Sequence, residues 1–335
     1  MVSVLDVARH AGVSAATVSR VLSGNGPVAV ETRARVMRSV EQLGYRPNAI
    51  AQSLRRGQGR TVAFVTGDIE QGVYAALAKA VQMALGEMDL DLMLFDMAHS
   101  EARLSHLLER SASLGLRGLL LAAPHVIKTE DLLYLMRTSA DTGMLTLSVS
   151  QRLDAHGISS IVPDDVAGAE TAVQHLLDRK RAPVAYLGRI NTSAVGRLRF
   201  EGYRQALARA KRPFDPALVW DISRGYRSEA GYDEVADAVK RELRFGAVLA
   251  ASDEVALGGM AAAHDLGRRT PEDIAFIGFG GLRWGPYVRP TLTTVALDVQ
   301  ALSAAIGDAF KNLEEDRPVP LLTLVPPRLV VRSST

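Results

Sequence analysis

Residues 12–26 read GVSAATVSRVLSGNG, a stretch whose side chains could meet a polyanion. Ser14, Thr17 and Ser19 are short hydrogen-bond donors suited to phosphate oxygens, contacts that position a protein on a duplex without reading its sequence. Arg20 carries a guanidinium fork that can donate to both O6 and N7 of a guanine, worth about 1–3 kcal/mol of discrimination. Arg20 is therefore either a base contact or a phosphate contact. Ala15 and Ala16 have no hydrogen-bonding side chain. They can touch a thymine methyl, let a helix sit deeper in a groove, or act as inert helix filler.

These residues must be held by helices. Ser14 reads as the N-cap of a run with Val18, Val21 and Leu22 at helical spacing, which places Arg20 on its outer face. Upstream, Ser3 caps a run with Val4, Leu5, Val7, Ala8 and Ala11 on one face, closed by Gly12. Two short helices joined by a glycine-containing turn form a helix-turn-helix pattern. A third helix is expected over about Ala29–Leu43, with Val36, Met37, Val40 and Leu43 apolar, Glu31 in its first turn and Gly44 after its end.

Charge follows the same division. Residues 1–60 contain nine Arg and no Lys against Asp6, Glu31 and Glu41, a net of +6, and the rest of the chain carries −4. A small basic head on a mildly acidic body points to a polyanionic partner for the head. The 335 residues suit two or three domains, and the absence of cysteine excludes disulfides and thiolate chemistry. No apolar run spans a bilayer and no signal peptide is evident, so a soluble cytoplasmic protein without membrane attachment is expected.

Past YRPNAIAQSLRRGQGR, where Asn48 could cap a short helix over 49–55, the text changes. Apolar runs such as TVAFVTGDI, DLDLMLFDM, LRGLLLAAP, TLSVS, ISSIVPD, APVAYLGR, AVLAAS and DIAFIGFG alternate with helical stretches. That alternation implies parallel sheets covered on both faces, and roughly ten units are too many for one ordinary sheet. Two α/β lobes are expected, with a return toward the first near RPTLTTVALD.

Several of these motifs resemble the lactose-repressor (LacI/GalR) family of bacterial transcription regulators. LDVARHAGVSAATVSRVLSG resembles its DNA-binding head and GYRPNAIAQSLRRG its hinge. SIVPDDVAGAETAVQHLL, GRLRFEGYRQAL, ASDEVALGGMAAAHDLG and PEDIAFIGFGG resemble its effector-binding core. The resemblance implies an all-α head over 1–46, a hinge helix over 47–59 and a two-lobed, periplasmic-binding-protein-like α/β core over 60–335. The N-lobe would take about 60–162 and 296–323, the C-lobe about 163–295 and 324–335. It also implies a homodimer on a palindromic operator, most readily a repressor, whose affinity for double-stranded DNA a small effector controls. The family's tetramers carry a C-terminal leucine heptad, which LVVRSST lacks, so a dimer is expected.

Residue by residue, the resemblance places Arg20 at a base-contacting position, and Ala15 and Ala16 at positions that vary with operator preference. Asn48, Ala51 and Leu54 fall in the DNA-contacting hinge. Leu54 would wedge into a minor-groove base step and kink the duplex, unless it is a core leucine. A seven-residue helix is marginal alone in water, so it would form chiefly on DNA beside its dimer mate. Arg199 matches the ligand-binding arginine, with a surface ion pair as the alternative. Tyr74 and Tyr226 match aromatic positions against ligand, with core packing as the alternative. Ser252 and Asp253 stand at a strand end where the family often has Asn-Asp.

The chain departs from the family at Ser150, where an Asp is common, and at Gly280 and Gly281, which replace an acidic pair. Two carboxylates are lost while Arg199 is kept, and Arg189 and Arg283 follow strands whose C-terminal ends form the ligand crevice of open α/β sheets. A carboxylate- or phosphate-bearing effector, such as a sugar acid or sugar phosphate, is therefore expected over a neutral hexose. A nucleoside-like ligand stacked on the tyrosines, or a pocket controlled by a protein or by nothing, stays open.

Enzyme readings fail on particulars. Gly278-x-Gly280 begins a dinucleotide fingerprint, but Arg283 stands where its third glycine belongs. The seven His lack metal spacing and no G-x-S-x-G elbow exists, so neither catalysis nor a cofactor is expected. A sugar-binding transport protein with the same core would need an export signal and no basic head.

Overall fold

The structure is a computed structural model, and it describes residues 2–23, 27–45, 59–98, 100–111, 113–123, 127–222 and 225–335. The expected hinge contacts Asn48, Ala51 and Leu54 lie outside the described residues. The chain divides into a unit over Met1–Gly59 and a unit over Arg60–Thr335.

The first unit holds α1 (Val4–Ala11), α2 (Ala15–Ser23) and α3 (Val30–Gln42). Ser3 and Asp6 form a reciprocal capping box at α1, whose C-terminus turns at Gly12 with φ 62°. Val7, Ala8, Ala11, Val18, Val21 and Val36 make the core. Met37, expected on the apolar face of α3, is instead 49% exposed. Ser39 is buried in its place, bonded to His10 Nδ1 at 3.0 Å.

The second unit contains two six-stranded sheets. The N-lobe sheet has β1 (Thr61–Thr66), β2 (Asp91–Asp96), β3 (Gly118–Ala122), β4 (Leu145–Ser148), β5 (Ser159–Pro163) and β11 (Leu322–Val325), in the order 11-5-4-3-1-2, all parallel. Helices α4 (Gly72–Gly86) and α11 (Val299–Glu314) share the core on one face. Helices α5 (Glu101–Ser111) and α6 (Thr129–Thr142) cover the other. Two-sided burial is why β3 reads GLLLA without alternation.

The C-lobe sheet has β6 (Val184–Gly188), β7 (Val219–Asp221), β8 (Ala247–Ala250), β9 (Ala275–Gly280), β10 (Thr293–Ala296) and β12 (Arg328–Val330). Their order is 12-10-9-8-6-7, with only β12 antiparallel. Helices α7 (Asp165–Asp178) and α8 (Ala194–Arg209) pack as one pair, α9 (Ser228–Lys240) and α10 (Asp253–Asp265) as another. The chain passes between lobes three times, at 163–165, 296–299 and 325–328. Both sheets reverse strand order beside their first strand, β1 and β6, and such switch points are where open α/β sheets form ligand crevices. Among the described residues, no helix is long and apolar enough to cross a membrane, and no cluster of His, Asp and Glu could hold a metal ion.

Candidate functional site

The head presents its chemistry on α2. The Ser14 hydroxyl accepts the Thr17 N–H at 3.1 Å and lies 2.9 Å from Thr17 Oγ1, so it caps the helix. Val18 and Val21 point into the core, which leaves Ala16 and Arg20, one turn apart, on the exposed face. Thr17 and Ser19 flank that face and are half-buried. Ala15 departs from the expected pattern, since it packs partly against the head core and less of it is open to a groove than of Ala16.

The body's chemistry lies where the two lobes meet. Arg199 sits on α8 in register with Val195, Tyr203 and Ala206, the buried face of that helix. Its Nε donates to Asp165 Oδ1 at 2.8 Å, its Nη1 to the Ala251 carbonyl at 2.5 Å, and its guanidinium lies 3.9 Å from the centroid of the Phe279 ring. Asp165 is 2% exposed, and burial pushes its carboxyl up from the ordinary range while Arg199 pulls it down. The arginine is thus a buried, paired group rather than a surface ion pair.

Tyr74 on α4 and Tyr226 just before α9 are both buried, and burial raises both phenols. The charges of Arg199 and Arg189 reach Tyr74 from the opposite lobe. Arg189 donates to Thr192 Oγ1 at 3.1 Å and stands 5.8 Å above the Tyr226 ring. Tyr226, Ser252, Asp253 and Gly280 line one cavity of about 30 Å³ together with Gln71, Val73, Glu254, Phe279 and Leu282.

Ser252 caps α10 by accepting the Val255 N–H at 3.2 Å. Asp253 accepts from Thr294 Oγ1 at 2.5 Å and from the Leu282 N–H, so its carboxylate ties α10 to the loop after β9 and to β10. A side chain at Gly278 would run into Asp253, and Gly280 has φ 130°, a conformation that side chains rarely adopt. Ser150 turns away within its own lobe, donating to the Ala123 carbonyl at 2.7 Å.

The excess of arginine charge expected here does not form. Asp165, unnoticed in the sequence, neutralises Arg199. Arg283 is exposed and stacked 4.5 Å from the Trp284 ring centroid rather than turned to the cavity. Three contacts join the lobes beside the cleft: Glu254 accepts the Gly72 N–H at 3.2 Å, and Arg227 reaches Asp68 at 3.4 Å and Glu70 at 3.0 Å.

Residues 3–48 match the family described as bacterial regulatory proteins, lacI family, and residues 173–335 match a periplasmic binding protein-like domain. The HTH-type transcriptional regulator GalR of Escherichia coli is 31% identical over 336 residues, covering 100% of this chain and 96% of GalR. The chain belongs to the LacI family. Catabolite control protein A of Priestia megaterium is 29% identical over 100% of this chain and 99% of its own length. Among solved structures, the Lac repressor bound to ONPG is 25% identical, with a TM-score of 0.83 over 100% of this chain and 99% of that one. The Lac repressor dimer bound to operator and an anti-inducer has the same fold, with a TM-score of 0.85 at 24% identity over 99% and 98% of the two chains. These relatives are transcriptional regulators, and this LacI-family chain is a DNA-binding transcriptional regulator.

Of the residues missed in the sequence, Asp165 had a signal. Asp165 shares a helical face with Ala169, Ala172 and Leu176, all buried. A lone carboxylate on an apolar stripe asks for a buried partner, and Arg199 on the apolar stripe of α8 asks the same. Gln71 and Glu254 carried no such mark, because each precedes or opens a helix and reads as an ordinary terminus residue. A larger recess, about 720 Å³, lies elsewhere on the C-lobe between α10 and residues 288–290. It is away from the strand C-terminal ends and joins none of the predicted effector residues.

Proposed function

We propose that this regulator binds a palindromic operator as a homodimer, with α2 in the major groove, represses from that site, and loses or gains operator affinity when a small molecule occupies the cleft between the body lobes. The observation that carries it is the exposed face of α2, where Arg20 and Ala16 stand one turn apart on a capped helix of a basic unit. Arg20 supplies directional contact to a base edge; Ala16 permits close approach; Ser14, Thr17 and Ser19 supply phosphate contacts. Asn48, Ala51 and Leu54 act from the hinge, with Leu54 opening a minor-groove step.

A second copy of the chain covers the surfaces that the body leaves apolar. Edge strand β2 leaves Met93 and Leu94 45% and 50% exposed, an unpaired strand edge of the kind proteins normally cover. Trp284 and Tyr287 of the C-lobe are likewise exposed. The solved Lac repressor in complex with operator is described as a dimer, which supports the same assembly here.

A cavity of only about 30 Å³ favours the competing reading, a degenerate pocket that binds nothing. Buried polar atoms in the cleft without partners weigh against it, because folding leaves few such groups unsatisfied.

The test uses an operator selected from random duplexes. Leu54→Ala reduces affinity for it by roughly 10-fold or more in a gel-shift titration, while sedimentation shows an unchanged dimer. Equal affinity and equal bending in the variant, or a monomer at micromolar concentration, contradicts the proposal.

A further inference from the structure

Away from the cleft, the recess of about 720 Å³ on the C-lobe is bounded by α10, the loop over 267–272 and residues 288–290. These loops lead into the N-terminal ends of β9 and β10, whereas the cleft lies at the C-terminal end of β9, where Gly280 stands. The volume falls among those of small-molecule sites, roughly 300–1,000 Å³. Part of the wall is apolar: Met260 is buried, and Leu257 and Val288 are half-buried against the C-lobe core. Thr270 also lines the recess, and its Oγ1 is buried without a hydrogen-bond partner. Folding leaves few such groups unmet, and this one asks for a partner that the chain does not supply.

The rest of the lining is basic, and its three arginines are not equivalent. Arg269 is bidentate on Asp273, through Nε at 3.2 Å and Nη2 at 3.1 Å, and is spent there. Arg289 donates Nη1 to the Val288 carbonyl at 2.8 Å, an acceptor that leaves its charge unneutralised. Arg268 is exposed, with no side-chain hydrogen bond or ion pair among the described residues. Glu272 is the one acid in the lining, so with Asp273 counted against Arg269 a positive charge remains in excess. We propose that this recess is a second small-molecule site, separate from the cleft, and that it takes an organic anion. The ligand's apolar body lies against Leu257, Met260 and Val288, and its carboxylate or phosphate is met by Arg268 and Arg289. A guanidinium fork matches either head group with two parallel bonds. A neutral molecule of the same shape leaves the excess charge unmatched. A bare inorganic anion leaves the apolar wall in water.

The experiment uses the full chain, with 2-naphthoate and decanoate as probes, their neutral amides, and inorganic phosphate. Calorimetry is expected to show saturable binding of at least one of the two acids. Its amide and inorganic phosphate should bind about 10-fold more weakly or worse, the size of a lost charge-assisted hydrogen bond. Arg268→Glu should weaken the acid by about 10-fold or more, since it removes one guanidinium and adds a like charge beside the head group. Arg212→Glu makes the same change of net charge at an exposed C-lobe residue outside the recess, and should bind the acid as the parent does. That control separates a site at Arg268 from a general response to charge, and a probe lodged in the cleft would be indifferent to Arg268→Glu. No saturable binding of either acid, as when a second copy of the chain fills the recess, overturns the proposal. So does equal binding of the amide or of inorganic phosphate, undiminished binding in Arg268→Glu, or an equal loss in Arg212→Glu.

Discussion

Arg20 and Arg199 are the same side chain, each on a helix, in opposite surroundings. Arg20 stands on the exposed face of α2. Arg199 stands on the buried face of α8 and is committed to Asp165, to the Ala251 carbonyl and to the Phe279 ring. The contrast teaches that residue type at a family position is not enough to assign a ligand contact. What an arginine can do for a partner depends on what the fold has already asked of it. The head leaves Arg20 exposed, whereas the cleft holds Arg199 buried against Asp165.

The two arginines should differ most in what their loss does to stability. Arg199→Leu leaves the buried Asp165 charge without its cation and should cost about 3–5 kcal/mol in urea unfolding of the body. Arg20→Ala should stay within about 0.5 kcal/mol, as exposed substitutions do. The Arg199→Leu deficit should also shrink on acidification, because protonation of Asp165 removes the stranded charge. Equal stability of the two variants would end the distinction between them.

In the head, a smaller effect is expected at the cap of α2. Ser14→Ala removes the hydroxyl that accepts the Thr17 N–H, and the loss of such a cap costs about 1 kcal/mol. Thermal unfolding of the head, followed by helical circular dichroism, reads it. No change in stability alongside weakened operator binding would make Ser14 a phosphate contact alone.

The smallest effect lies beside the cleft. Burial, the largest influence, raises the Glu254 carboxyl above its ordinary 4.5, with Asp68 and Asp253 adding to the rise and the Gly72 N–H and Arg227 opposing it. The folded chain holds this proton more tightly than the unfolded chain does. Glu254 therefore contributes stability below about pH 4.5 that is lost as pH rises through the folded value. Glu254→Gln keeps an acceptor for Gly72 without the charge. Its unfolding free energy should match or exceed the parent's at pH 7, by about 0.5 kcal/mol or less given partial exposure, with the gap closing on acidification. A parent more stable than the variant at pH 7 would show that Arg227 outweighs burial.

Much of this was legible in the sequence, for physical reasons that differ by region. Capped helices with apolar faces announce themselves, so α1, α2 and α3 fall close to the expected spans. Long apolar strands such as β1 and β3 do too. Three-residue β7 and β12 do not, because neither is long enough to show a period and β12 takes its place only by pairing antiparallel with β10. In the cleft, the tyrosines and Arg199 were visible as residue types. The pairing of Asp165 with a residue 34 positions later was not, since it depends on α7 and α8 packing together. Met37 shows the converse: its apolar character suggested burial, and the helix phase set by Val36 turned it outward.

Whether α2 reads DNA through Arg20, as proposed, is decided by one measurement. Binding isotherms are taken for the full chain and for Arg20→Ala on the selected operator and its complete set of single-base variants, over a range of salt. The account predicts weaker binding in Arg20→Ala, by about 1–3 kcal/mol, with preference relaxed at one base pair in each half of a symmetric site. An unchanged preference profile with only a shallower salt slope would reduce Arg20 to a phosphate contact, and a selected site without symmetry would contradict the dimeric reading itself.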